Sequence, residues 1–198
     1  MQEQKDISVT LGVAGFIDVE TTGLNPANDE IIEFAVTLFS FNYETGEVLE
    51  VLDEYVGMRE PKKKIPRSAI KIHGITNEEV LGKKLDKEHI LSILSKADLL
   101  IAHNAAFDRS FVVRLFPEFN CKPWFCSMRG INWGQKGFAY KSLPYLLKAH
   151  GIKNNRTHRA DSDVRAAIKL LSQYNKENKT YLYELVASNI KQKVRVAR

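Results

Sequence analysis

Cysteine is nearly absent: Cys121 and Cys126 are the only two among 198 residues. Two thiols cannot build the bridge framework of a small secreted domain, and no further ligands stand at zinc-type spacing from them. A reducing, cytoplasmic setting is therefore the expectation. Long apolar runs are also missing. No stretch approaches the ~20 residues that a membrane-spanning helix requires, and the polar, acidic residues 1–6 do not resemble a secretory leader. No membrane partner is expected. Internal repeats, low-complexity blocks and evident linkers are lacking as well, which argues against a repeat architecture and against a second domain. One unit is expected over residues 1–198, with its core at about 8–189 and a basic tail at 190–198 that contains no acid.

What is present is an ordinary globular composition, 44% hydrophobic and 27% charged. The formal net charge of +5 agrees with a polyanionic partner without specifying one. Lys191, Lys193, Arg195 and Arg198 concentrate positive charge in the tail. A solvated terminus explains them better than a dedicated nucleic-acid arm. Lys62, Lys63 and Lys64, with Arg67 and Lys71, form a second basic cluster just before His73. It reads either as a solvated loop or as a phosphate contact.

Hydrophobic patterning predicts strands at 13–19, 30–42, 47–56, 98–103 and 124–128, with a hairpin turn at 43–46. Residues 57–67, rich in Pro and Lys, read as a loop. Helices are expected at 77–80, 87–97, 105–116, 142–150, 161–174 and 180–189, the fourth capped by Ser142 and stopped by Gly151. Strands first, then alternation of strand and helix, argue for an α/β mixed sheet with helices on its faces.

The first expected strand carries Asp18 and Glu20, followed by Thr21, Thr22, Gly23 and Leu24. Residues two apart on a strand share a face, so the two carboxylates project together. Two acids held side by side near a core are costly unless a cation lies between them, and hard divalent cations prefer oxygen ligands. The alternative is a strand end with two solvated acids. Three further features bear on the choice. An apolar strand runs into His103 and Asn104, and the helix after it carries Phe107 and Asp108 in its first turn. An acid there also answers the helix dipole. His158 precedes Asp161 and Asp163 at the start of another helix, where either acid would serve as an N-cap. Finally, His73, Gly74, Ile75 and Thr76 precede a short helix that Thr76 and Glu79 would open as a capping box.

Together these residues resemble the DnaQ-like 3′–5′ exonucleases of the DEDDh type. That family has an acidic pair before Thr-Thr-Gly, a third Asp in a His-Asn-x-x-Phe-Asp context, an intervening His-Gly-Ile-Thr, and a His ahead of a fourth Asp. The resemblance covers roughly residues 15–171. The His spacing selects Asp163 as the fourth acid and leaves Asp161 as an N-cap. Many relatives carry an Asp-Thr pair in a strand after the third-Asp helix. The matching stretch here, 124–128, has none, so its local hydrogen bonding is expected to differ.

The resemblance implies a ribonuclease H-like fold, a five-stranded mixed sheet whose second strand is antiparallel. It implies that Asp18, Glu20, Asp108 and Asp163 hold two Mg²⁺ or Mn²⁺ ions, with Asp18 bridging them and His158 acting as general base. The implied substrate is nucleic acid with a free 3′ end, DNA or RNA, cleaved to 5′-mononucleotides. Thr21, Thr22 and Gly23 would offer backbone N–H groups, and Leu24 would wedge against the terminal base or else be core. His103, Asn104 and Phe107 would stack on or hydrogen-bond the last nucleotide, and Phe107 equally fits the apolar stripe of its helix. His73 reads as a substrate-side structural residue. A polymerase is a second candidate partner, an expectation weakened by the lack of a sliding-clamp box and of a long flexible tail. The alternative of another class is a catalytically silent nucleic-acid-binding or polymerase-associated module, whose signature would be a missing acid.

Overall fold

The structure, a computed structural model, describes residues 11–154 and 157–187. Its centre is a five-stranded sheet in the order β3-β2-β1-β4-β5. The strands are β1 (Leu11–Thr21), β2 (Ile31–Asn42), β3 (Val48–Met58), β4 (Leu99–Ala102) and β5 (Trp124–Cys126). β2 runs antiparallel to both β1 and β3, while β4 and β5 run parallel to β1. The second strand is thus the single reversed one. β1 to β3 form a meander, and a Gly46 at φ 70° closes the hairpin between β2 and β3.

Alternation along β1 assigns the two faces. Ile17 and Val19 pack with α3 (Lys87–Lys96) and α4 (Ala105–Leu115) in one core cluster. Ala14 and Phe16 pack with α5 (Leu143–Ala149), α6 (Ala160–Leu171) and a last helix described over residues 181–187. β2 lies between these layers and is buried along nearly its whole length. Each large side chain sealed there, such as Phe34, Phe39 or Phe41, contributes about 1.5–3 kcal/mol relative to exposure. Asp18 and Glu20 continue the Ala14–Phe16 series, so the packing periodicity that builds the core also aims both acids toward the α6 side.

Four elements differ from expectation. Residues 67–73 form a helix, α1 (Arg67–His73), directly after the expected loop at 57–67, where no helix was expected. Pro66 occupies its N-cap position in an extended conformation, and Gly74 ends it in the left-handed region, donating its N–H to Ile70 O. α1 and α2 (Asn77–Val80) enclose a small cluster of Ile65, Ala69, Ile75 and Val80 against Ile32. Ser142 sits at the N-cap of α5, but its side chain makes no capping bond. Arg159, not Asp161, is the N-cap of α6. Asp161 falls inside the first turn, because the loop carrying His158 enters the helix earlier than the Asp spacing suggests. α6 ends at Leu171, three residues short of the periodic pattern, which continues through the Tyr174–Thr180 bridge. The Thr76–Glu79 capping box is formed in both directions. Residues 188–189 of the expected last helix and the basic tail at 190–198 lie outside the described residues. No helix among the described residues is long and apolar enough to cross a membrane.

Candidate active site

The parallel strands β1 and β4 end on the same side of the sheet, and a cleft of about 530 Å³ opens beyond them. Its walls contain every site residue read from the sequence: Asp18, Glu20, Thr21, Thr22, Gly23, Leu24, His73, His103, Asn104, Phe107, Asp108, His158 and Asp163. They arrive from separate elements. β1 brings Asp18 and Glu20, the first turn of α4 brings Asp108, and the first turn of α6 brings Asp163. Asp108 and Asp163 are buried, and Asp18 and Glu20 are half-buried.

The four carboxylates repel one another. Burial raises the Asp18 carboxyl well above the usual range, and the charges of Asp108, Glu20 and Asp163 raise it further. Glu20 is pushed up to about 8, first by burial and then by Asp163, Glu33 and Asp108. Asp108 rises to about 7 by burial, against hydrogen bonds from its own backbone and that of Val19. Asp163 is raised by burial and held back by Asn154 and the N–H of His158. No Lys or Arg lies within ion-pair distance of any of the four among the described residues. Convergent, mutually destabilised oxygen donors without a counter-charge suit a hard divalent cation such as Mg²⁺ or Mn²⁺. One oxygen each of Glu20 and Asp163 and a ring nitrogen of His158 lie within 4.8 Å of one another.

His158 is exposed and adopts φ 62°, a left-handed conformation that costs a non-glycine residue about 1–2 kcal/mol. Its N–H donates to Asp163 Oδ2 at 3.0 Å, which ties the loop to the fourth acid. The next residue supplies a stronger anchor. Arg159 donates to both oxygens of Glu33, with Nη2 at 2.8 Å from Oε1, and Ala160 N–H adds a bond to Oε2 at 2.9 Å. Glu33 is 1% exposed and pairs across the strands with Glu20. The Arg159 charge therefore also lowers the cost of ionising Glu20. Sequence reasoning missed this clamp. Its signals were a lone acid inside the apolar run of β2 and an Arg directly after His158.

Several side chains are committed more fully than expected. His103 accepts from Ser127 Oγ at Nδ1, 2.9 Å, and donates from Nε2 to Lys141 O at 2.8 Å. Both nitrogens are occupied and burial favours the neutral ring, so His103 offers substrate no ring hydrogen bond. Within the 124–128 stretch, Ser127 supports the His103 ring and Cys126 Sγ lies 3.4 Å from His103 O. Thr22 donates its N–H to Glu30 O at 2.9 Å, so it cannot present that group to a substrate. Its hydroxyl bridges Asp29 and Glu30 N–H, and the Thr21 hydroxyl donates to Gly23 O at 2.6 Å. Both threonines shape the turn, leaving Gly23 N–H unpaired among the described residues. His73 is buried and accepts from Ile75 N–H through Nδ1, a structural position on the cleft wall. Leu24 is 82% exposed, which removes the core reading. Phe107 does both jobs, packing 5.0 Å from Phe111 while facing the cleft. Asn104 is the N-cap of α4 without a side-chain capping bond. Val19, Ser68, Ala69, Ile72, Met128, Ser142, Leu143 and Pro144 complete the wall.

A family model described as Exonuclease (RNase_T) matches residues 16–171. The chain is 29% identical over 182 residues to the PolC-type DNA polymerase III of Thermotoga maritima, covering 83% of this chain and 12% of that protein. It is 34% identical over 122 residues to the DNA polymerase III subunit epsilon of Buchnera aphidicola, covering 57% and 49%. The chain thus spans only a part of these curated relatives. The E. coli exonuclease I structure in complex with a dT13 oligonucleotide superposes with a TM-score of 0.65 at 23% identity, over 81% of this chain and 40% of that one. The shared fold is the ribonuclease H-like mixed sheet.

Proposed function

The chain belongs to the Exonuclease family, in its DnaQ-like branch, and on that footing we propose that it is a 3′–5′ exonuclease. It hydrolyses phosphodiester bonds from the 3′ end of DNA or RNA and releases 5′-mononucleotides. The observation that carries this reading is the convergence of Asp18, Glu20, Asp108 and Asp163 in one cleft with His158 at its edge. A silent binding module would lack the need for four mutually repelling acids. The polymerase III names of the relatives make a DNA polymerase a proposed partner.

In this reading Asp18, Glu20, Asp108 and Asp163 would hold two Mg²⁺ or Mn²⁺ ions. Bound there, the ions supply Lewis acidity to the phosphoryl oxygens and acidify water. His158 takes a proton from the attacking water as its oxygen bonds to phosphorus and the phosphorus–O3′ bond breaks, and the departing 3′ oxygen takes a proton from solvent to leave as a hydroxyl. Imidazole suits that task near neutral pH. Asp163 holds the His158 loop through its backbone N–H, and the Arg159–Glu33 clamp holds the start of α6. Leu24 and Phe107 offer apolar surface to the terminal bases, a contact that tolerates any sequence. Gly23 N–H is the available backbone donor at the turn.

The test is a panel of 5′-labelled single-stranded DNA, duplex DNA, RNA and short oligonucleotides, with Mg²⁺, with Mn²⁺ and with EDTA. A descending ladder from the 3′ end that EDTA abolishes is expected. Early release of a short 5′-labelled product, cutting of a closed circle, or full activity in EDTA would refute the reading.

A further inference from the structure

A second cavity of about 360 Å³ adjoins the cleft, and Arg59, Lys62, Lys63 and Arg114 line it. At two points the linings of the two touch through a pair of side chains. Thr22 faces the cleft and Asp29 faces the second cavity, and their side chains are hydrogen-bonded at 3.1 Å. Phe107 faces the cleft and Phe111 the second cavity, and their rings are 5.0 Å apart, centre to centre. The turn at residues 22–30, which carries the exposed Leu24, therefore separates an acidic chamber from a basic one.

The basic loop is anchored to that turn. Glu30 accepts the Lys62 N–H at 2.7 Å and pairs with Arg59, while its own N–H donates to Thr22 Oγ1 at 3.0 Å. Glu30 is thereby consumed by Arg59, and Asp29 by Thr22 and the Asn25 N–H. Lys62, Lys63 and Arg114 are exposed, and none has a carboxylate within ion-pair distance among the described residues. Three cations without an ion-pair partner thus face the second cavity; with Asp29 and the Glu30–Arg59 pair counted, its lining keeps a net excess of two positive charges. Lys64, Arg67 and Lys71 do not line it, so the basic run in the sequence divides into two groups.

A strand whose 3′ end lies in the cleft carries phosphates at intervals of about 3.4 Å when stacked. Crossing a wall of two side chains in contact takes about two or three nucleotides at that spacing. We infer that the Lys62–Lys63–Arg114 cavity holds backbone phosphates of the substrate's single strand two or more nucleotides upstream of the scissile phosphate, which itself lies in the cleft. This inference rests on the exonuclease reading. Contacts to phosphate position a strand without reading its sequence, so the cavity would set the minimum efficient length of substrate.

The experiment compares wild type with Lys62→Ser/Lys63→Ser/Arg114→Ser on dT8 and on dT2, across a series of NaCl concentrations in Mg²⁺. Each single-strand phosphate contact contributes a slope of about −0.7 in log K against log salt. For dT8, the triple variant is expected to lose about 2 from the magnitude of the slope of log(kcat/KM), with KM raised at least tenfold at low salt and kcat retained. For dT2, which does not reach the cavity, both proteins should behave alike. Equal losses on dT2 and dT8, or an unchanged dT8 slope, would overturn the inference. An effect confined to a duplex with a recessed 3′ end would overturn it too, since the cavity would then hold the complementary strand. If neither protein hydrolyses either oligomer, the exonuclease reading fails. Fluorescence anisotropy of 5′-fluorescein-dT8 then decides the cavity separately: tighter binding by wild type supports it, and equal binding rejects it.

Discussion

At the scale of single residues, the cleft contains two kinds of group with separable consequences. Asp18→Ala removes a proposed metal ligand, so both Mn²⁺ binding by calorimetry and turnover should collapse. His158→Ala removes a proton acceptor. A positioned general base is typically worth ~10²–10⁴-fold, so turnover should fall by that range with Mn²⁺ affinity near normal and partial rescue at high pH. Because a His158 nitrogen lies within 4.8 Å of Glu20 and Asp163 oxygens, loss of Mn²⁺ binding as severe as in Asp18→Ala would reassign His158 as a ligand. Arg159→Ala tests the clamp. It leaves Glu33 buried without its counter-charge beside Glu20, and breaking such pairs costs ~3–5 kcal/mol. Arg159 itself is 21% exposed at its side chain, so a loss near the lower end is expected in urea unfolding, with Glu33→Gln/Arg159→Ala recovering part of it. A loss below ~0.5 kcal/mol, the level of an ordinary surface substitution, would mean the pair is ornamental.

Secondary-structure elements carry the site through their ends. The periodicity of β1, β2, β4 and α4 was legible because each has one dominant pattern and clear boundaries. α1 was not, because a seven-residue helix bounded by Pro66 and Gly74 has too little length for a period to emerge. Two glycines separate backbone from packing costs. Gly74 sits at φ 75° with nothing within 4 Å of an added Cβ, so Gly74→Ala should cost about 1 kcal/mol through backbone strain alone. Gly46 sits at φ 70°, and an added Cβ there would collide with the Thr180 hydroxyl and the Tyr183 backbone. Gly46→Ala should therefore cost clearly more, because the β2–β3 hairpin must move away from the last helix. Comparing the two variants by urea unfolding checks this, and equal losses would refute the packing argument.

For the whole molecule, the acid cluster makes stability depend on pH and metal. Glu20 near 8 and Asp108 near 7 lie above their ordinary values of 4.5 and 3.8, so the metal-free folded state binds more protons than the unfolded chain between these limits. Stability that depends on those protons is fully present below pH about 4 and is lost as pH rises through about 8. The metal-free Tm should therefore fall from pH 5 to pH 8 through this cluster. Mg²⁺ or Mn²⁺ should raise it by mass action, more at pH 8 than at pH 5, because ligands must be deprotonated to bind. Asp18→Asn should flatten the metal-free profile. Differential scanning calorimetry with and without EDTA measures all three, and a Tm indifferent to metal at pH 8 would count against the site.

Hydrophobic patterning along the chain was enough for an α/β mixed sheet with helices on its faces, a consequence of alternation, helical period and turn chemistry that act over a few residues. The reversed second strand and the set of residues that would meet followed only from the family resemblance that the motifs carry. Tertiary structure alone decided what each polar group is free to do. His103 and Thr22 have the right chemistry for a substrate, yet Ser127, Lys141 and Glu30, distant in sequence or across a turn, already occupy them. Glu33 and Arg159 are 126 positions apart and gain meaning only when β2 and α6 pack together. The division of the lysine run, with Lys62 and Lys63 turned toward Arg114, likewise follows from where Glu30 pins the loop. Hydrogen-bond satisfaction and charge pairing in a folded interior are long-range properties, and a linear pattern carries no record of which partner arrives first.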